Sequence, residues 1–182
     1  MQGPPPPFTT EQLDLVDEKT ATKEVAPEKP KVKRLICTGC NSNESKTLQF
    51  LQDRGITDKN ALSTIMGNIR QESTFVPNIC EGGAIVPYDR CLRGGYGLIQ
   101  WTSKHRYIGL GNHCTKRNED PSGLKCQTDY MINEMRFRKD LYAFQTNHQT
   151  VRYYMNAAYY WLGWGIHGNR TKYTYSFLTK LK

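Results

Sequence analysis

Hydrophobic side chains recur at helical spacing through most of residues 43–182, and this periodicity constrains the fold more than any other feature of the chain. It predicts five helices, over about residues 44–51, 57–73, 128–144, 150–161 and 170–181. Thr128 is the expected cap of the third helix, and prolines and glycines over 74–97 indicate loops or a short hairpin. Strands do not alternate with helices, which argues against a parallel-sheet nucleotide fold. We therefore expect a mainly α (α+β) domain over residues 43–182, with a small β-hairpin or loop region after the second helix.

Residues 1–42 differ in composition and are predicted to form a proline-rich, largely disordered arm. Four consecutive prolines open it at Pro4, its apolar residues are few, and Cys37 and Cys40 form a C-x-x-C motif at its end. Residues 1–35 contain six basic and six acidic side chains, so the whole net charge of +8 belongs to residues 36–182. We expect the arm to act as a tether and the basic body to meet an anionic partner.

Two sequence features bear on the membrane and on export. No run of about 18 apolar residues occurs, which predicts that no helix spans a membrane. The first residues lack the basic and then apolar layout of a secretory signal, so conventional export is not expected.

Glu72 is the most informative carboxylate, because it lies at the edge of the apolar arc of the second predicted helix and near its C-terminal end. Partial burial and the electronegative end of the helix both disfavour the charged carboxylate. A glutamate kept neutral in this way has the requirement of a general acid. The alternative is an ordinary solvated helix glutamate.

Two motifs around this position carry a resemblance to a known family. Glu72-Ser73-Thr74-Phe75-Val76-Pro77 ends the helix, and Tyr96-Gly97-Leu98-Ile99-Gln100-Trp101 follows a glycine-rich stretch. In this order and spacing they resemble the phage tail lysozyme family, within the lysozyme-like superfamily, over roughly residues 45–180. The resemblance implies a peptidoglycan-cleaving domain carried in a virion tail. It also implies that Glu72 is the general acid and that Gln100 and Trp101 line the sugar cleft.

Glycosidic bond cleavage usually needs a second carboxylate besides the acid. Asp89 is the preferred second group because Arg90 beside it would hold it ionised, although an ordinary surface pair is the alternative. Relatives of this fold also work with one glutamate, so hydrolysis and lytic transglycosylation both stay open. Sugars bind to aromatic faces and hydrogen-bonding groups, and about half of the aromatic candidates are expected to be structural instead. The candidates for substrate binding are Ser73, Gln100, Tyr96, Trp101, Tyr159, Tyr160, Trp161 and Trp164.

The six cysteines fall into three neighbouring pairs, Cys37/Cys40, Cys80/Cys91 and Cys114/Cys126. Disulfides are the first interpretation, and they would imply a final location outside a reducing cytoplasm. Free thiols are an alternative. A zinc site using Cys37 and Cys40 is a weaker one, because no second C-x-x-C or H-x₃-H accompanies them.

Gly163-Trp164-Gly165-Ile166-His167-Gly168 satisfies the G-x-G-x-x-G pattern but follows an aromatic helix and is not followed by an acid. We therefore interpret it as a turn between the last two helices and not as a dinucleotide site.

The function that we expect from these observations is a muramidase-type hydrolase of the virion tail or baseplate. It would open the cell wall locally during genome delivery, act in the host periplasm or cell wall, and need no cofactor or metal. Its partners would be peptidoglycan and, through the arm, other tail proteins. The alternatives are a lytic transglycosylase and a catalytically inactive plug or adaptor of the tail. Specific nucleic-acid binding is disfavoured, because Lys and Arg are scattered and no binding motif occurs.

Overall fold

The computed structural model describes Glu28 and residues 31–182, and in this part of the chain it contains seven α-helices. The mainly helical fold class is confirmed. In place of a regular hairpin, the described residues contain only isolated β-bridges, three of them within residues 79–101. No described helix has the length and apolarity needed to cross a bilayer. The helices are α1 (Ser42–Asp53), α2 (Lys59–Ser73), α3 (Lys104–Thr115), α4 (Leu124–Phe137), α5 (Asp140–Phe144), α6 (Val151–Leu162) and α7 (Arg170–Lys180).

Helix α2 is the central helix of the core, with most of its side chains from Ala61 to Ile69 fully buried. It begins where the Asp58 carboxylate accepts hydrogen bonds from the first backbone N–H groups of the helix, a standard N-cap. It packs closely against α7 because Gly67 has no side chain: a Cβ there would lie 2.6 Å from the backbone nitrogen of Thr174. The last turn of α2 carries Glu72, which is thereby fixed on a rigid, buried element.

The segment before α1 packs against the helical body. Backbone hydrogen bonds of 2.9 Å join Ile36 and Lys182 in both directions. The Arg34 guanidinium donates to Asp53 at 2.8 Å and also to the side chain of Gln49 on α1. The compact unit to which these contacts belong runs from Lys33 to Lys182. Most of the predicted arm, residues 1–27 with 29 and 30, lies outside the described residues.

Two features of the helices differ from the prediction. Helix α3 was not expected, although Ser103 caps it by accepting a hydrogen bond from the backbone N–H of Arg106. The helix predicted over 128–144 begins earlier, at Leu124, and is divided at Lys139, whose φ of 64° lies in the left-handed region. Thr128 is therefore not a cap: its hydroxyl donates to the carbonyl of Leu124 within α4, at 2.9 Å.

A charged network centred on Asp129 of α4 connects this helix to α3 and to the end of α1. Asp129 on α4 accepts hydrogen bonds from Arg54 at 2.5 Å and from His113 on α3 at 2.8 Å. Burial alone would raise the pKa of Asp129, but the hydrogen bonds and charges of Arg54 and His113 lower it overall. The carboxylate is thus held in its ionised form.

Candidate active site

Glu72 is largely sheltered from solvent and is paired with an arginine. Its side chain is 18% exposed, and its Oε1 accepts a hydrogen bond of 2.6 Å from a terminal guanidinium nitrogen of Arg170, which is 5% exposed. The position at the buried end of α2 agrees with the sequence prediction. The arginine was not predicted as the partner of Glu72.

Arg170 is held by three different partners. One terminal nitrogen donates to Asn68 Oδ1 at 3.0 Å, the other donates to Glu72, and the guanidinium carbon lies 4.4 Å from the ring centroid of Trp164. Such a planar, multiply bonded guanidinium has little freedom to move. The Glu72 carboxylate is therefore positioned by a group that is itself fixed by α2 and by the stacked indole.

The connection between α6 and α7 places Trp164 and Arg170 beside the end of α2. Gly163 ends α6 with a φ of 68°, a left-handed conformation that glycine adopts without strain. The backbone N–H of Asn169 then donates to Gln71 Oε1 at 2.8 Å, which ties the connection to the last turn of α2. The segment Gly163–Gly168 is a turn between the last two helices, as predicted, and it also forms part of the site.

The two sequence motifs meet directly beside Glu72. The Ser73 hydroxyl donates to the carbonyl oxygen of Leu98 at 2.8 Å, and both side chains are buried. The second motif folds back on itself through a bridge between Tyr96 and Trp101. Gln100, with a φ of 54°, donates through its amide to the Gly97 carbonyl at 3.0 Å. The half-buried Gln100 thus stabilises this turn.

Three of the aromatic candidates for sugar binding are buried in the protein. Tyr96, Trp101 and Trp161 have no exposed surface. The Tyr96 hydroxyl donates to the Val86 carbonyl at 2.9 Å, and the Trp161 ring packs edge-on against Phe144. Their ring faces contact protein and are not available to a sugar in this structure. Because they are buried, these three residues pack inside the protein, whereas the sequence predicted that they line a sugar cleft.

The indole of Trp101 leads to a second charged pair that the sequence did not reveal. Its Nε1 donates to Glu134 on α4 at 3.1 Å, and Arg106 on α3 donates to the two carboxylate oxygens of Glu134 at 2.5 and 2.9 Å. Burial alone would lower the pKa of Arg106, but the hydrogen bonds and charge of Glu134, and also the charge of Glu72, raise it overall. Glu72 therefore lies within electrostatic range of a second guanidinium.

Asp89 lies away from these pairs, in an exposed 3₁₀ turn over Tyr88–Arg90. Among the described residues it forms no ion pair, not even with the neighbouring Arg90. The charge of Asp89 acts instead on a nearby phenol. The pKa of Tyr107 is raised to about 12, mainly by burial, then by Tyr88 and Tyr96, and least by Asp89. The contacts of Asp89 thus give it no link to Glu72, because the loop turns this side chain toward solvent.

Tyr159 and Tyr160 are the substrate-binding candidates on α6 that stay accessible. Tyr159 is 47% exposed and meets Trp164 edge-on, with 5.2 Å between ring centroids. Both rings line a surface groove of about 540 Å³ between α6, α7 and their connection. Tyr160, which follows it, is 63% exposed.

All six cysteines are joined in disulfides, and they form the three neighbouring pairs that the sequence suggested. The bond between Cys80 and Cys91 closes the loop that contains Asp89, and the bond between Cys114 and Cys126 joins α3 to α4. Within Glu28 and residues 31–182, no group of three or more His, Cys, Asp or Glu side chains is arranged to hold a metal.

A family model described as phage tail lysozyme matches residues 42–174. The chain belongs to the phage tail lysozyme family. The match includes Glu72 and both motifs, and it ends within α7 after Arg170. Among curated proteins, this family member is similar to Morphogenesis protein 1 of Bacillus phage B103, with 30% identity over 113 residues. That alignment covers 60% of this chain and 25% of the relative, so the chain spans about a quarter of the length of the protein it matches. No solved structure matches it with significance.

Proposed function

We propose that this phage tail lysozyme family member is a muramidase-type peptidoglycan glycosidase in which Glu72 protonates the leaving glycosidic oxygen. One observation carries the proposal: a largely sheltered carboxylate ends the central helix beside the anchored second motif, with Arg170 fixing its orientation. Catalysis depends on such preorganised groups, because their positions need no rearrangement during reaction. Membership of a lysozyme family supports the substrate class.

Arg170 acts as a positioning residue in this chemistry, because its guanidinium holds the Glu72 carboxyl at 2.6 Å. A glycan cleaved at Glu72 has to bring its glycosidic oxygen to this carboxyl, which donates the proton. We propose that the contact between Arg170 and Glu72 is weakened when the sugar binds.

Asp89, the predicted second catalytic group, shares no hydrogen bond or ion pair with Glu72. Asp89 keeps its proposed role only if its loop moves, because it is exposed and has no contact with the Glu72 network. Glu134 is closer to this network through Arg106, but both of its oxygens already accept hydrogen bonds. We therefore assign Glu134 to holding Arg106 and Trp101. A single glutamate is compatible with attack by water or by a group of the sugar, so hydrolysis and transglycosylation remain the two candidate outcomes.

The test is incubation of purified peptidoglycan with the wild-type protein and with Glu72→Gln, followed by mass analysis of the released products. We expect release by the wild type and a loss of at least about a hundredfold in Glu72→Gln, the usual scale for removing an acid catalyst. Glu119→Gln, a carboxylate change outside the site, is the matched control and should keep full activity. Reducing ends would indicate hydrolysis, and anhydro sugars would indicate transglycosylation.

The competing proposal is an inactive plug or adaptor of the tail, for which the resting ion pair of Glu72 is the supporting observation. A natively folded wild type that releases no product at any pH from acid to neutral would establish the plug. For the biological role, we propose that the domain acts at the host cell wall as part of the virion tail or baseplate, tethered through residues 1–42, during genome delivery. The relative is a phage protein named for morphogenesis, which supports a virion setting.

A further inference from the structure

The groove between α6 and α7 has the surface chemistry of a carbohydrate site. Tyr159, Trp164 and Tyr175 provide three aromatic rings along it, and Tyr175 is 54% exposed. The amide of Asn156 and the hydroxyl of Thr171 also line it. Flat apolar faces interleaved with hydrogen-bonding groups are suited to sugar rings, which have apolar faces and polar edges.

The same groove carries a positive charge, because Arg152 is among its lining residues, and the imidazole of His167 also lines it. The described lining residues include no Asp or Glu. Arg152 is exposed on α6 and forms no ion pair with any described residue. The His167 Nε2 is within 2.8 Å of the Thr171 hydroxyl, which orients the imidazole at the groove. This charge suits a ligand that carries anionic groups in addition to sugar rings.

A chain of side-chain contacts links the groove to the Glu72 site. Trp164 lines the groove and is also stacked on Arg170, whose guanidinium lies 4.4 Å from the indole centroid. The same guanidinium contacts Glu72 at 2.6 Å. The groove is therefore connected to the proposed acid through the side chains of Trp164 and Arg170.

From this arrangement we infer that the groove binds the glycan strand beside the cleavage point, and that Arg152 recognises the carboxylates of its peptide stems. The inference rests on the proposed function and extends it. The aromatic rings bind the glycan whether or not a stem is present, while Arg152 distinguishes an anionic, stem-bearing strand from a neutral one. Charge complementarity selects this occupant, because a neutral glycan gives a cationic groove no electrostatic advantage.

Binding to insoluble cell-wall sacculi tests the inference separately from catalysis. All variants are made in the Glu72→Gln background, so that the wall is not degraded during the measurement. Sacculi are first freed of phosphodiester polymers with acid, and half are then treated with carbodiimide and methylamine to convert their carboxylates to amides. Affinity is measured by co-sedimentation of the full chain at constant moderate salt. Lys172→Ala, on α7 outside the groove lining, is the control for loss of one positive charge.

We expect Arg152→Ala to weaken binding to untreated sacculi about fivefold, the upper scale of an exposed ion pair. Its binding to amidated sacculi should equal that of the parent. Tyr159→Ala should weaken binding to both materials, and Lys172→Ala should change neither. Equal effects of Arg152→Ala on the two materials, or an effect no larger than that of Lys172→Ala, would overturn the inference. A parallel sample of sacculi is left without the acid treatment. If Arg152→Ala weakens binding only to this sample, the recognised anion is a phosphate and the stem assignment is wrong.

Lytic activity of the wild type, measured in parallel, decides the proposed function on its own. An active wild type combined with an unselective Arg152→Ala would overturn the groove assignment alone. An inactive wild type whose Glu72→Gln form still shows the selective binding would overturn catalysis and leave the groove assignment standing.

Discussion

Replacing Arg170 by glutamine is the sharpest test of how the site is built. The change leaves the Glu72 carboxylate, which is 18% exposed, without the guanidinium that contacts it at 2.6 Å. Removing one partner of a buried ion pair costs about 3–5 kcal/mol, and the partial exposure of Glu72 places this pair at about 3 kcal/mol. Loss of the stacking on Trp164 adds up to about 1 kcal/mol. We expect the free energy of unfolding to fall by about 3–4 kcal/mol near neutral pH.

A double-mutant cycle isolates the pair from the other contacts of Arg170. It needs urea unfolding of the wild type, Arg170→Gln, Glu72→Gln and the double variant. We expect a coupling energy of about 2 kcal/mol near neutral pH, since the stacking and the Asn68 contact cancel between the two halves of the cycle.

The exposed pair of Arg34 and Asp53, with side chains 47% and 48% exposed, is the matched control for this cycle. Its coupling should stay below about 1 kcal/mol, because solvent screens an exposed pair. A coupling between Arg170 and Glu72 as small as that of the control would refute the electrostatic account of the site.

Three further predictions concern the scaffold around the site. Gly67→Ala should lower the free energy of unfolding by at least about 1–3 kcal/mol, because its Cβ would overlap the backbone of Thr174; unchanged urea unfolding would contradict the close packing of α2 on α7. Replacing Cys114 and Cys126 by alanine should cost about 3 kcal/mol, and reductant should lower the Tm of the wild type; a Tm that ignores reductant would contradict the pairing. Asp129→Asn should lower the free energy of unfolding by about 2 kcal/mol near neutral pH. The pKa of Asp129 is lowered in the folded protein, so its ionised form stabilises the fold at neutral pH, and this stabilisation is lost as the pH falls through that pKa. Urea unfolding from neutral to acid pH should show this difference shrinking, and a constant difference would contradict the ionic network.

The helices of the core could be predicted from the sequence because their apolar spacing is strong and their caps are local. Asp58 and Thr150 begin α2 and α6 with side-chain hydrogen bonds to the first turn, and both positions follow from residues a few places apart. Helix α3 was missed because its buried side chains are few, among them Leu110 and Cys114, and two glycines weaken its helical pattern. Only the cap at Ser103 signalled its start.

The position of Glu72 on its helix could be predicted for the same local reason, but its partner could not. Arg170 is 98 residues away along the chain, and nothing in helical periodicity tells which arginine will reach a given carboxylate. Glu134 was missed for a similar reason, because it lies on a different helix from both motifs and its contacts with Trp101 and Arg106 are 33 and 28 residues distant. Long-range ion pairs of this kind are decided by tertiary packing.

The burial of Tyr96 and Trp101 gives a physical reason for the specificity of the second motif. A turn that closes through a bridge between these two residues needs Gly97 at a φ of 79° and Gln100 at a φ of 54°, and both aromatic rings fill space beneath it. Each position is thus constrained by backbone geometry or packing, whereas a group on a solvated rim tolerates many side chains. It follows that Tyr96 and Trp101, which belong to the clearest sequence signature, have packing roles in the turn beside Ser73. We propose that the groups that contact a substrate are to be sought among more accessible side chains, such as the exposed Tyr159 and the half-buried Trp164, whose own sequence context is less distinctive.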